Sequence, residues 1–256
     1  MIRFEDVHFQ IGDTRILDGV SFEVTPGETL VLLGRSGSGK TTALKMVNAM
    51  RAPTAGRVVV DGRASIDWDP VKLRRSIGYV IQDVGLFPHR SVAENVGTVP
   101  RLLGWDAGRV RARVDALLEE VSLAPGEYRH RYPESLSGGQ RQRVGVARAL
   151  AAEPRILLFD EPFGALDPIT RREMQDLFVA LRKKYRVTSL FVTHDVSEAL
   201  LLGSQIGLLR GGRLQFQGTA EAFAKAEDSE ARRFMESLPR IPGGAGGGRP
   251  GVEGAN

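Results

Sequence analysis

The chain contains 256 residues, of which 42% are hydrophobic, and has a formal net charge of +4, so it can bury a sizeable core as one domain or as one domain with a subdomain. No apolar run approaches the roughly 20 residues of a membrane-spanning helix, and the first residues, MIRFEDVHF, lack the pattern of a secretory signal. The absence of cysteine excludes disulfides and thiolate metal sites and fits a cytosolic protein.

The N-terminal part of the chain predicts strands that lead into a glycine-rich loop. Apolar and polar residues alternate in IRFEDVHF and ILDGVSFEV, which predicts two paired strands. TLVLL, from Thr29 to Leu33, predicts a buried strand, and TTALKMVNAM beyond the glycines has helical spacing. A strand at VVV, a turn at Asp61 and Gly62, and a strand at IGYVI follow before a break at GLFPH.

The remaining pattern indicates a helical insertion inside an α/β core. It is helical from Ser91 to about Leu150, with interruptions at Pro125 and Pro133, and strands return at RILLF, VTSLFV, IGLL and RLQFQ. We therefore predict an α/β fold over residues 1–238, with a mostly parallel core sheet, an antiparallel β subdomain and a helical subdomain at about 88–150. Residues 239–256 are rich in Gly and Pro and predict a disordered tail.

GRSGSGKT matches the phosphate-binding pattern G-x-x-x-x-G-K-[ST], and it lies between a predicted strand and a predicted helix. Glycines let successive backbone N–H groups point at a phosphate, while Lys40 suits the β- and γ-oxygens and the Thr41 hydroxyl suits Mg²⁺. We predict binding of ATP and Mg²⁺ here. The predicted phosphate contacts are Gly34, Arg35, Ser36, Gly37, Ser38, Gly39, Lys40, Thr41 and Thr42.

RILLFDEP supplies two acidic residues at the end of a predicted buried strand. Asp160 is predicted to join the Mg²⁺ shell, and Glu161 follows where it can hold the attacking water. Adjacent carboxylates also occur as helix-capping clusters. The phosphate-binding loop in the same chain favours the catalytic role.

LSGGQRQRVGVARAL begins with Leu136 and leads through ARALAAEP into RILLFDEP. With these motifs the chain resembles the ATP-binding subunits of ABC transporters over roughly Ile2 to Leu238. The resemblance implies a P-loop NTPase cassette and an ATPase that drives transport. It also implies that Gln82 senses Mg²⁺ and the membrane subunit, that Asp167 lies in a loop crossing the dimer interface, and that His194 contacts the γ-phosphate. Alone, such a His is more often structural, and such a Gln can cap a strand.

The second glycine-rich helix start, at LSGGQ, raises a question of geometry. Two such starts in one compact chain cannot reach the same γ-phosphate, whereas those of two chains in a two-fold dimer can. We therefore predict a homodimer in which the γ-phosphate bound at Lys40 of one subunit is capped by the other subunit through Ser137, Gly138, Gly139 and Gln140. The alternative is that Gly138 and Gly139 only permit a tight turn.

Within this family, DPVKLRRSIGYVIQDVGLFPHRSVAENVGTVPRLLGW and EPFGALDPITRREMQ look most like importers of quaternary-amine osmoprotectants such as glycine betaine, choline or carnitine. This resemblance implies an ABC permease that docks around residues 82–100 and a substrate-binding protein that acts through the complex. The chain would then be peripheral at the cytoplasmic face of the membrane. ABC ATPases for another solute or a lipid remain alternatives. Many osmoprotectant ATPases append regulatory sensing domains, whereas this sequence continues into glycine.

One family feature is altered. An aromatic residue usually stacks on adenine shortly after the first strand, and that place holds Ile11, with Phe9 two residues earlier. Either Phe9 substitutes for the aromatic residue or the platform is missing, which costs on the order of 1 kcal/mol.

Two other classes of function are weaker fits. Arginine clusters in RLLGWDAGRVRARV, RQRVGVAR and RREMQDLFVALRKKYR are typical of solvated helix faces, and they lack the interleaved aromatics of nucleic-acid sites, so no nucleic-acid partner is predicted. A non-transport ABC ATPase normally brings two cassettes, a long coiled coil or zinc-binding cysteines. A small-molecule kinase shares GRSGSGKT but has no use for LSGGQ.

Overall fold

The computed structural model describes residues 1–238, and the predicted tail at 239–256 lies outside the described residues. The strands are β1 Ile2–Ile11, β2 Thr14–Val24, β3 Thr29–Leu33, β4 Ala55–Val60, β5 Arg63–Ala64, β6 Ile77–Val80, β7 Ile156–Asp160, β8 Thr188–Thr193, β9 Gln205–Arg210 and β10 Arg213–Gly218. The α-helices are α1 Lys40–Val47, α2 Pro70–Ser76, α3 Val92–Val96, α4 Thr98–Leu102, α5 Ala107–Glu120, α6 Pro125–Tyr128, α7 Gly138–Leu150, α8 Pro168–Tyr185, α9 Val196–Leu202, α10 Ala220–Ala224 and α11 Ser229–Glu236.

The strands form two sheets. The smaller sheet is antiparallel with the order β2-β1-β4-β5, and Ile2 lies between Val24 and Val60. The larger sheet has the order β10-β9-β3-β8-β7-β6, in which all neighbours are parallel except β9 and β10. This architecture confirms the predicted α/β fold with a mostly parallel core sheet and an antiparallel β subdomain.

Parallel pairing determines where the functional segments meet. The carboxyl ends of parallel strands lie at one edge of a sheet, where α/β proteins bind their ligands. The phosphate-binding loop follows β3, Gln82 follows β6, Asp160 ends β7 and His194 follows β8. These four segments, distant in sequence, therefore share one edge of the larger sheet.

The core sheet is covered on both faces. Along β3, Leu30 and Leu32 pack into a hydrophobic cluster with α1 and the antiparallel sheet, while Val31 and Leu33 pack into a second cluster with α7 and α8. All five β3 residues are buried, as expected for a central parallel strand. The helices α3 to α7 occupy the region predicted as a helical subdomain. Within residues 1–238, no helix is both long enough and apolar enough to cross a bilayer.

Candidate functional site

The loop between β3 and α1 has a backbone that only glycine permits at key points. Gly37 and Gly39 have φ values of 78° and 103°, in the left-handed region that favours glycine. A Cβ added to Gly39 would lie 2.7 Å from Leu17 Cδ2, and one added to Gly34 would lie 2.2 Å from the carbonyl oxygen of Leu209. Helix α1 begins after Gly39 without a side-chain cap, so its first N–H groups are left for a ligand.

Lys40 lies inside this loop and is almost completely buried. Its Nζ donates hydrogen bonds to the carbonyl oxygens of Gly34 (2.8 Å) and Arg35 (2.9 Å), and it lies 4.0 Å from Glu161 Oε1. Burial lowers the pKa of Lys40, while the negative charges of Glu161 and Asp160 oppose that shift. The loop thus combines a buried lysine, held by backbone carbonyl oxygens, with the uncapped N–H groups at the start of α1, and such an arrangement suits phosphate groups.

The carboxylate of Asp160 receives two hydrogen bonds from different parts of the chain. Thr41 Oγ1 donates to Asp160 Oδ1 at 2.7 Å, and the hydroxyl of Tyr79 donates to Oδ2 at 3.2 Å. Burial, together with the negative charge of Asp160, raises the pKa of Tyr79, so its hydroxyl keeps its proton.

The same residues fit Mg²⁺ by their donor chemistry. Mg²⁺ is usually held by one or two carboxylates together with substrate phosphates and water, and not by a dedicated cage. A hydroxyl and a carboxylate oxygen meet at Thr41 and Asp160, beside the predicted phosphate loop. Among residues 1–238, no group of three or more His, Cys, Asp or Glu side chains is placed to hold a metal.

Glu161 and His194 meet although they are 33 residues apart. His194 Nδ1 lies 2.9 Å from Glu161 Oε2, and the Glu161 N–H donates to the carbonyl oxygen of Val192 at 3.0 Å. Glu161 has a φ of 46°, and a non-glycine residue in this region stores strain that is often found at functional sites. The backbone thus presents the Glu161 carboxylate to the space between Lys40 and His194.

Gln82 is exposed at the start of the loop that follows β6. Its Nε2 lies 3.9 Å from the position of a Cβ added to Gly164, next to the segment that contains Asp167. The loop beyond Gln82 is held by α7, because Arg148 donates to the carbonyl oxygens of Val84 (2.5 Å) and Gly85 (2.7 Å). The same helix begins at the LSGGQ motif, so α7 connects the two segments.

The start of α7 is capped by its own side chains. Ser137 Oγ accepts the Gln140 N–H at 3.2 Å, and Gln140 Oε1 accepts the Ser137 N–H at 2.9 Å, which is a capping box. Ser137 and Gly138 are exposed. A Cβ added to Gly139 would lie 2.4 Å from Thr170 Cγ2, so glycine permits close contact with α8. Within residues 1–238, no hydrogen bond or ion pair joins this start to the phosphate loop.

Asp167 caps the following helix, α8. Its Oδ1 accepts the N–H groups of Ile169 (3.1 Å) and Thr170 (3.0 Å), and the hydrogen bonds from Thr170 contribute most to lowering the pKa of Asp167. Arg171 fixes the turn before it by donating to the carbonyl oxygens of Phe163 and Leu166. The segment that carries Asp167 is therefore rigidly attached to α8.

The two candidates for the adenine contact have different environments. Phe9 is 8% exposed and packs in the core with Leu17 and Leu44, whereas Ile11, at the end of β1, is 54% exposed. The burial of Phe9 argues against the stacking role considered for it, because its ring is already used for packing. Ile11 is therefore the more accessible of the two candidates.

Sequence reasoning missed several residues that support the site. They are Tyr79, Arg148 and Arg171, described above, and Glu230 on α11, which is buried and pairs with Arg35 Nε at 2.5 Å. The alternation in IGYVI places Tyr79 on one face of β6, but nothing in the sequence specifies its partner. The pairing of Arg35 with Glu230 spans 195 residues and leaves no local signal.

Comparisons with known proteins place these motifs in a family. The family model described as ABC transporter matches residues 17–164. The chain is 50% identical over 222 residues to the osmoprotectant import ATP-binding protein OsmV of Salmonella typhimurium, covering 86% of this chain and 58% of that protein. It is 48% identical over 227 residues to the choline transport ATP-binding protein OpuBA of Bacillus subtilis, covering 89% and 58%. It thus spans little more than half the length of either relative.

A solved structure provides a third similarity. The dimeric ATP-binding cassette MJ0796, in a post-hydrolysis state bound to ADP and Pi, is 31% identical to this chain with a TM-score of 0.75. The alignment covers 86% of this chain and 99% of MJ0796.

Proposed function

Because this chain belongs to the ABC transporter family, we propose that it is the ATP-binding and hydrolysing subunit of an importer for quaternary-amine osmoprotectants. The observation that carries the proposal is the convergence of Lys40, Asp160 and the Glu161–His194 pair at one edge of the core sheet. This edge brings together a cation that can contact phosphates, oxygen atoms that can bind a metal, and a carboxylate that can accept a proton from water. These are the groups that phosphoanhydride hydrolysis requires.

Each group has a separate task in this proposal. The loop from Gly34 to Thr42 binds the phosphates of ATP, and Lys40 contacts the β- and γ-oxygens. Thr41, Asp160 and Gln82 would hold Mg²⁺, which would supply positive charge to neutralise the phosphates. Glu161 accepts a proton from the attacking water, and His194 orients the Glu161 carboxylate and contacts the γ-phosphate.

We also assign the LSGGQ motif to a second copy of the chain. Ser137 and Gly138 are exposed and form no hydrogen bond or ion pair with the chain's own phosphate loop among the described residues, which supports their use by a partner. In the homodimer they would cap ATP bound to the other subunit, together with Gly139 and Gln140, and Asp167 would lie near the interface. Charge-assisted contacts of ~1.5–3 kcal/mol each would close the dimer with ATP, and hydrolysis would release it.

A groove beside β6 supports docking of the membrane subunit. It has a volume of about 340 Å³ and is lined by Tyr79, Ile81, Phe87, Val99 and Arg148, among others. A permease helix seated here would contact the loop after Gln82. The chain would then be peripheral at the cytoplasmic face of the membrane, and a substrate-binding protein would act only through the complex.

Nucleic acid is not among the proposed partners. In α7, the run of arginines is largely used inside the fold, because Arg143 contacts Val121 and Glu173 while Arg148 holds the loop after Gln82. Arg141 likewise donates to the carbonyl oxygen of Leu136. These contacts favour a structural role for the positive charge over a polyanion groove.

Uptake assays test the solute class. Cells lacking the gene are supplied with the wild-type chain or with Lys40→Ala, and accumulation of radiolabelled glycine betaine and choline is measured under osmotic stress. Uptake that depends on the wild-type chain, with sulfate uptake unchanged as control, supports the proposal. Uptake that is equal with both chains refutes the osmoprotectant assignment.

A phosphate-release assay tests the reaction class. Inorganic phosphate released from ATP in water is the expected product. Phosphate found on an acceptor molecule would instead indicate a kinase.

A further inference from the structure

The hydroxyl of Tyr79 has no task in the mechanism above, yet it contacts a residue at its centre. It donates to Asp160 Oδ2 at 3.2 Å, while Thr41 occupies Oδ1 at 2.7 Å. The two oxygens of the carboxylate thus have separate donors, one from β6 and one from α1. Two donors on opposite oxygens restrict rotation of a carboxylate more than one does.

Strand pairing explains why Tyr79 reaches this carboxylate. Tyr79 lies opposite Leu158 in the parallel pairing of β6 with β7. Leu158 and Asp160 are two residues apart and therefore lie on the same face of the sheet. The Tyr79 ring packs against the hydrophobic cluster on that face, which carries its hydroxyl past Leu158 to the end of β7. Packing holds the ring, so removal of the hydroxyl alone leaves the contact between the strands.

From this geometry we infer that Tyr79 is a positioning residue for the Mg²⁺ ligand Asp160. The inference rests on the proposed function, in which Thr41 and Asp160 hold the metal. If Thr41 and Asp160 held the metal, the hydrogen bond from Tyr79 to Oδ2 would still orient the Asp160 carboxylate. Partners that orient metal ligands in this way typically change metal affinity by about 10–100-fold when they are removed.

Tyr79→Phe tests the inference because it removes one oxygen and keeps the ring. ATP binding is measured with a fluorescent ATP analogue in the Glu161→Gln chain, as Mg²⁺ is titrated and, separately, in EDTA. We expect the Mg²⁺ concentration for half-maximal strengthening of binding to rise about tenfold. The affinity in EDTA should stay within about twofold, since the hydroxyl acts only through the metal ligand.

Tyr185→Phe is the matched control. Tyr185 also donates its hydroxyl to a carboxylate, Glu120 Oε2, at 2.7 Å, and both residues lie outside the site. This variant should leave the Mg²⁺ titration unchanged. Thermal unfolding of both variants, measured without nucleotide, reports any general loss of stability.

A double-variant test separates positioning from general support. In an Asp160→Asn background the metal ligand is already impaired, so Tyr79→Phe should add little further effect on the Mg²⁺ titration. An equal loss of ATP affinity with and without Mg²⁺, or full additivity with Asp160→Asn, would overturn the inference. If Tyr79→Phe bound ATP normally and its Mg²⁺ titration did not shift, the positioning role of Tyr79 would be refuted while the proposed function would stand. Failure of the parent chain to bind ATP would refute the proposed function as well.

Discussion

The starts of α1 and α7 both contain glycines, but they leave their backbone N–H groups in different states. Helix α1 follows Gly39, which has no side-chain cap, and Lys40 is buried behind it. Helix α7 follows Ser137, which forms a reciprocal capping box with Gln140. The first start therefore has no side-chain cap, whereas the second has its Ser137 and Gln140 N–H groups paired in the free chain and remains exposed.

This difference suits the shared site that we propose, in which each chain contributes one start to each of two sites. At the α1 start, glycines, a buried cation and Asp160 converge. At the α7 start, the capping box stabilises the first turn of the helix without a ligand. Thr170 of α8 packs against the start of α7, and Arg148 of α7 holds the loop after Gln82. A displacement of α7 would therefore also displace α8 or this loop.

The largest expected effect concerns the chemistry assigned to the α1 side. Glu161→Gln keeps the shape of the side chain and removes the base. Phosphate release should fall by about 100-fold or more while ATP binding is retained. Enzyme-coupled phosphate detection beside an ATP-binding assay checks both expectations. Near-normal hydrolysis would remove Glu161 from the mechanism.

Replacing one glycine by alanine at the start of α1 or of α7 should have different effects on stability and on dimerisation. Gly39→Ala meets Leu17 Cδ2 and the carbonyl oxygen of Ile16 and forces a side chain into left-handed backbone, so we expect a loss of about 1–3 kcal/mol in the free energy of unfolding. A Cβ added to Gly138 meets nothing within 4 Å, so Gly138→Ala should keep its stability and lose ATP-dependent dimerisation. Urea unfolding and light scattering provide the two measurements. Equal destabilisation by both variants would contradict the expected difference between the starts of α1 and α7.

Local motifs made the centre of the site predictable from the sequence. Lys40 and Thr41 begin α1 and Asp160 ends β7, so each belongs to a short motif at the end of a regular element, and the geometry of such motifs depends mainly on neighbouring residues. The contact of Tyr79 with Asp160 spans 81 residues and depends on the register between β6 and β7, which no local pattern specifies. The adenine candidates were ambiguous because register shifts in β1 around Phe9 disturb simple alternation.

The capping box offers a smaller test with an internal control. Helix α3 has the same arrangement, in which Ser91 and Glu94 cap each other. Ser137→Ala and Ser91→Ala should each lower the free energy of unfolding by about 1 kcal/mol. Of these two variants, only Ser137→Ala should also weaken ATP-dependent dimerisation. If Ser91→Ala weakened the dimer as much, the effect of Ser137 would be explained by helix stability alone.

The smallest expected effect concerns adenine. Ile11→Tyr places an aromatic ring at the exposed end of β1 and should strengthen ATP binding by about fivefold, corresponding to roughly 1 kcal/mol of stacking. Equilibrium binding to the monomer measures this directly, and GTP serves as the comparison nucleotide. Unchanged ATP affinity would mean that adenine is held elsewhere. In the Ile11→Tyr chain, ATP-dependent dimerisation should still require Ser137, because Ile11 would contact only the nucleotide bound to its own chain.

The shared site itself is tested most directly by mixing two defective chains. Both carry Glu161→Gln, which should let an ATP-bound dimer accumulate. One also carries Lys40→Ala, which removes the cation in the phosphate loop, and the other carries Ser137→Arg, which blocks the exposed α7 start. Only a heterodimer can then contain one intact site, formed by Lys40 of one chain and Ser137 of the other.

Size-exclusion chromatography with light scattering, in ATP and Mg²⁺, reports the mass of each chain alone and of the mixture. We expect monomers for each chain alone, ATP binding by the Ser137→Arg monomer, and a dimer peak in the mixture. Loss of ATP binding by the Ser137→Arg monomer as complete as that of Lys40→Ala, with no dimer in the mixture, would refute the shared site, because the α7 start would then serve its own chain.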